Sequence, residues 1–247
     1  HNVSIGRSSS KELKGNQNVA VGTFALGAAV TQYYNTAIGD GAMRGSTGGD
    51  RNTAIGYHAL GNDTTGTGGS QSVAVGFGAL RKSSAANTTA VGYHALNENT
   101  SGEENTAVGY EVMPVNTTGS YNTVLGYRAM YLQTTGNYNT AVGSQALYNN
   151  VDGDRNTAVG YQALHSMEPA DGGGNNTAVG DRAGYKTTTG HTNVYVGYIA
   201  GYELTTGERN VIIGHEAAQN ANTMNYSVVI GNAAGRNLSG SSEAIYI

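Results

Sequence analysis

Asn156-Thr157-Ala158-Val159-Gly160-Tyr161-Gln162-Ala163-Leu164 decides how this chain folds, because the same pattern returns almost unaltered at Asn52 to Leu60, Asn105 to Met113 and Asn122 to Met130. Its glycine recurs at positions 6, 22, 39, 56, 76, 92, 109, 126, 143, 160, 180, 197, 214 and 231, spaced 17 apart except for two steps of 16 and two of 20. A fixed period of this length marks a stack of one small unit. Residues 1–247 therefore read as a single repeat domain, with regular coils over 1–180 and a variant type over 181–247.

The unit is a β unit. The residue before each motif glycine is Val, Ile or Leu, and the residue two before that is Val or Thr, an alternation that predicts a short strand. Glycine then turns the chain, a second short segment carries Ala three positions on, and Thr-Thr-Gly often marks the next corner, as at Thr117-Thr118-Gly119. A pair of helices needs about 33 residues per repeat, so a helical array is excluded. The expectation is an all-β, parallel β-solenoid of about 14 coils of 17 residues. With strands about 4.8 Å apart, such a stack is roughly 65–70 Å long. Stacking places Asn over Asn and Val over Val, which accounts for the near identity of the units.

Composition removes several functions. Glycine fills 38 of 247 positions and charged residues only 12%, about half the usual share. A formal charge of −4 gives no footprint for nucleic acid or anionic lipid. No apolar run reaches the roughly 20 residues of a membrane span, so direct membrane insertion is not expected. With no cysteine, thiolate catalysis and Cys-ligated zinc are excluded.

The variation between units points to a shared compartment. In units 2 to 10 the position two before glycine is usually Ala, and the fourth after it is always Leu or Met (Leu26, Met43, Leu60 through Leu164). In the last three units these become Tyr195, Ile212 and Val229 against Gly201, Ala218 and Gly235. Val124 beside Met130 is the exception. Large and small exchange places, as expected for two positions filling one volume. A thin coil encloses few aliphatic side chains, so this compartment is expected to lie between protomers, apart from the Val/Ile face, in a homotrimer.

The Asn-Thr-Ala-Val-Gly units resemble the Asn-Ser-Val-Ala-Ile-Gly repeats of the YadA-like head domains of trimeric autotransporter adhesins. The longer Tyr-x-Ala-Leu unit is similar to repeats of phage tail fibres and of mosaic adhesive trimer proteins. The resemblance covers nearly the whole chain and implies a left-handed β-roll, three copies around one axis, and an extracellular, cell-surface or virion location. It implies attachment to a surface glycan or envelope receptor, or alternatively a passive shaft whose recognition tip lies elsewhere. The 17-residue period and the Thr positions depart from that family's shorter, more aliphatic unit.

Candidate ligand-binding residues fall in two groups. Tyr57, Phe77, Tyr93, Tyr110 and Tyr127 follow the motif glycine in successive units and predict an aromatic column, which either packs on sugar rings or simply stiffens the stack. The two 20-residue steps predict surface loops; Asn62, Asp63 and Thr67 stand in one, Met167, Glu168 and Asp171 in the other. His58 and His94 are two units apart and no histidine has clustered carboxylates, so no metal, cofactor or catalytic residue is assigned. An enzyme of the polysaccharide-cleaving kind needs paired carboxylates that no unit supplies. The Thr column at Thr36, Thr53, Thr89, Thr106, Thr123, Thr140, Thr157 and Thr177 alternates with Val and is expected to be partly buried, which argues against ice binding.

Overall fold

The computed structural model describes residues 1–27, 31–61, 69–168, 174–238, 240 and 242–247. Among them it is an all-β, parallel β-solenoid of about 13 turns without a helix. The chain forms two compact units, His1–Tyr121 and Asn122–Ile247. The first carries strands from Val3–Ile5 to Thr106–Val108, the second from Thr123–Leu125 to Ile245–Tyr246, nearly all three residues long. Within each unit successive strands pair in parallel and in register, so Thr36 lies beside Thr53 and Thr140 beside Thr157. The change of residue sizes at 181 falls inside the second unit.

A three-residue strand can point only its middle side chain to one face. From Val19–Val21 to Val228–Ile230 that middle residue is buried and its two neighbours are half-buried or exposed. The interior is thus lined by Ala20, Ala37, Ala54 and their equivalents, closed by the Ala and the Leu or Met after the glycine, all at 0% exposure. This corrects the expectation that Ala and Leu form a seam between protomers. Both columns belong to the coil's own core, and the Val/Ile and Thr residues form its outer strand face. Val124 and Met130, the pair that breaks the exchange rule, are also interior. The Thr column lies on the outer face too and is half-buried as expected, except at Thr106 and Thr123, which are exposed.

Amides supply the rest of the core. In the first unit Asn52 N–H donates to the Asn35 side-chain oxygen at 2.8 Å, and in the second Asn156 N–H donates to Asn139 at 2.9 Å. The side-chain amides donate to corner carbonyls, as Asn105 does to Gly119 at 2.7 Å and Asn139 to Gly153 at 2.8 Å. A further buried column seven residues after the glycine runs Ser46, Ser83, Asn99, Asn116 in the first unit and Gln133, Asn150, Met167, Thr187, Leu204 in the second. Asn116 donates to the Asn99 side chain and Asn150 to that of Gln133, each at 2.7 Å.

The corners explain two residue choices. Gly56 has φ 134°, and a Cβ there would lie 2.5 Å from the carbonyl oxygen of Gly76 in the next coil. Four positions later Leu60 is itself left-handed, at φ 49°. That conformation costs an L-residue roughly 1–2 kcal/mol. It is retained because it turns the side chain into the core while the Leu60 N–H donates to Ala79 in the next coil at 2.9 Å.

The volume exchange is real and lies within the chain. Tyr195 is fully buried, and its ring occupies the space that side chains at Gly184 and Gly201 would need. Thr187 Oγ1 donates to the Tyr195 hydroxyl at 3.2 Å, and burial raises the phenol pKa well above its ordinary value. Tyr195→Ala is expected to lower stability by about 3–5 kcal/mol. Adding Gly201→Leu, at a φ of 62° that the regular Leu positions already adopt, should recover more than half of that loss in thermal or denaturant unfolding.

Candidate binding surface

The residue after each motif glycine leaves the corner pointing outward, so the rings that follow it lie on the surface. Tyr57, Phe77, Tyr93 and Tyr110 are 40–48% exposed. Tyr57 stacks on Phe77 with centroids 5.0 Å apart, Phe77 on Tyr93 at 5.4 Å and Tyr93 on Tyr110 at 5.1 Å, the planes within 9–18° of parallel. His58 and His94 lie beside this column, 4.3 Å from Tyr57 and 4.2 Å from Tyr93. In the second unit Tyr127 is equally exposed, at 45%, with the Arg128 guanidinium 5.2 Å from its centroid.

This geometry limits what the column can do. A ring lying between two parallel neighbours has its faces turned along the stack. What it offers outward is an edge, with a hydroxyl at each Tyr but not at Phe77. A pyranose ring therefore cannot lie flat along the middle of the column. Contact there is by ring edges and by the phenol oxygens of Tyr57, Tyr93 and Tyr110, of which only the last two lie in adjacent coils.

A second column was not singled out from the sequence. Tyr131, Tyr148, His165, Tyr185 and Tyr202 stack in unbroken order at 4.9–5.2 Å with planes 5–16° apart. The signal was present, because each stands five residues after a motif glycine. It is half-buried rather than exposed, flanked by the Lys186–Glu203 ion pair at 2.7 Å.

The expected loops are only partly visible. Asn62, Asp63, Thr67 and Asp171 lie outside the described residues. Glu168 is exposed, as expected for a loop. Met167 is not: it is fully buried, with its sulfur 3.8 Å from the Asn176 amide nitrogen. It continues the buried column of the corner, so it fills the core instead of reaching a ligand. Among the described residues no group of three His, Asp or Glu could hold a metal ion, and no helix is long and apolar enough to cross a membrane.

His165 makes the second column sensitive to acid. Burial lowers its pKa below the ordinary histidine value, so the folded state favours neutral imidazole between Tyr148 and Tyr185. The unfolded chain then binds the proton more readily, and this contribution to stability, complete above about pH 6.5, is lost as pH falls toward the folded-state pKa. His165→Phe keeps a planar ring in the stack and should flatten the dependence of melting temperature on pH between about 7 and 5. An unchanged slope in the variant would remove this role.

No protein-family model matches the chain, and neither a curated protein nor a solved structure does, so its surface is what a function has to be built from.

Proposed function

We propose that this chain is a non-catalytic β-roll segment of a homotrimeric fibre, exposed on a cell or virion surface, that mediates attachment to a surface glycan or another envelope component. The observation that carries the reading is the outer strand face. Ile38 and Ile55 in the first unit are each 38% exposed; Leu125, Val179 and Ile230 in the second are 39–48% exposed. These side chains recur once per coil in a column with uncharged Thr or Val beside it. Aliphatic side chains repeated in register across a surface favour association with other copies of the same surface. The trimer seam is therefore assigned to this face. The resemblance to YadA-like heads and tail-fibre repeats supports three copies and an attachment role.

A second reading, the passive shaft, is favoured by the covered ring faces of the two aromatic columns. Stacking of that kind stiffens a coil stack whether or not it meets a ligand. A fibre shortened by several coils binds its target normally under the shaft reading and loses binding under the attachment reading.

Sedimentation equilibrium of the whole chain is expected to give three copies. Ile55→Asp with Val91→Asp and Val159→Asp, all on the outer face, should yield monomers with an unchanged β spectrum. A folded wild-type monomer at micromolar concentration would overturn the seam. No retention on glycan arrays or on whole cells would overturn attachment.

A further inference from the structure

Near the start of the first unit Arg7, Lys11 and Arg44 make no ion pair among the described residues. Arg7 and Arg44 both pack on the Phe24 ring, their Cζ atoms 5.4 and 4.7 Å from its centroid. Phe24 and Arg44 line a groove of about 250 Å³ with Ser8, Lys11, Glu12 and Gly27. Arg7, Lys11 and Arg44 are exposed, and no carboxylate lies within ion-pair distance of them among the described residues. Several other cations are matched, Lys82 with Glu98 at 2.5 Å, Arg182 with Asp181 and Lys186 with Glu203 at 2.7 Å, Arg209 with Glu208 at 3.2 Å and Arg236 with Glu216 at 3.1 Å, while Arg51 and Arg155 lie singly over the rings of Tyr34 and Tyr138. Two cations, Lys11 and Arg44, against the single carboxylate of Glu12 make this groove locally positive in a chain of net charge −4.

We propose that this groove binds the acidic residue of an anionic glycan, its carboxylate or sulfate held by Lys11 and Arg44. The Phe24 ring holds the Arg44 guanidinium beside the groove, where its N–H groups can donate to anionic oxygens. Charge-assisted hydrogen bonds from guanidinium to carboxylate or sulfate are stronger than neutral ones. The volume lies just below the roughly 300–1,000 Å³ of sites for drug-sized ligands and suits one sugar residue at a time. Ser8 supplies a hydroxyl on the same wall for the ring oxygens. A long polyanion such as nucleic acid needs a basic track, and the chain's net negative charge opposes one. The site rests on the attachment reading for its purpose and not for its chemistry.

The test is calorimetric titration of the full chain with a heparin hexasaccharide (sulfated), a hexagalacturonate (carboxylated), maltohexaose (neutral) and a single-stranded DNA oligonucleotide. One or both acidic glycans should bind, more weakly as salt rises, and maltohexaose should not. Arg44→Gln and Lys11→Gln should each weaken binding about tenfold, while Lys82→Gln leaves it unchanged. Circular dichroism of each variant checks the fold. The proposal is overturned if maltohexaose binds as well as the acidic glycans, if DNA binds more tightly than either, or if Arg44→Gln has no effect. Binding of acidic glycans without adherence to any cell would sink the attachment reading and leave the groove standing. Adherence unaffected by Arg44→Gln, with no glycan heat, would do the reverse.

Discussion

In-register stacking is the constraint on which everything else depends. A three-residue strand and its tight corners cannot satisfy their own backbone, and each coil pairs its amides with the coils on either side. Leu60 donates across to Ala79, Asn52 to the side chain of Asn35, and Gly56 to the carbonyl of Ile38 at 2.8 Å. Within each unit these bonds recur coil after coil, so a residue whose side chain or turn bonds to the next coil recurs there. The glycine at the corner, the left-handed Leu and the buried Asn are therefore fixed by the next coil as much as by their own.

The same stacking sorts the surface. Strand alternation sends Ala inward and Val, Ile and Thr outward, giving an outer face that is aliphatic and uncharged. The corners send rings outward, where they meet the ring of the adjacent coil before they meet anything else. A repeat thus tends to use its best recognition side chains on itself. The exceptions are informative: where non-equivalent positions of adjacent coils meet, as at Arg7, Phe24 and Arg44, unlike residues are brought together at the surface.

Period, strand and glycine corner were legible in the sequence because each is a local pattern repeated many times. The interior was misjudged for a specific reason. Counting only Ala, Leu and Met as core made the coil look too thin to close, and the missing wall was sought in a neighbouring protomer. The wall is built of Asn18, Asn35, Gln133, Asn150 and their equivalents, polar residues whose burial depends on hydrogen bonds made only once the coils are stacked. The same oversight placed Met167 on a loop, although it continues the buried column of Asn150. The exchange of Tyr195 with Gly201 was visible as a pattern, but which compartment it filled depended on knowing which way the strand faced. The aromatic column at Tyr57 to Tyr110 was legible as a column; that its faces are covered follows from ring planes, which no spacing reveals.

Tyr195 also bears on how such arrays change by duplication. Its ring takes the space left by a glycine in its own coil, Gly201, and by another in the coil before, Gly184. The packing unit of this section is therefore two adjacent coils and not one period. Recombination that copies a single 17-residue segment from here into the Ala/Leu section would set Tyr against Leu or leave Gly facing Ala. Exchange between the two kinds of coil is tolerated only in blocks that carry both halves of the match, which divides an otherwise uniform tandem array into segments that lengthen and shorten separately.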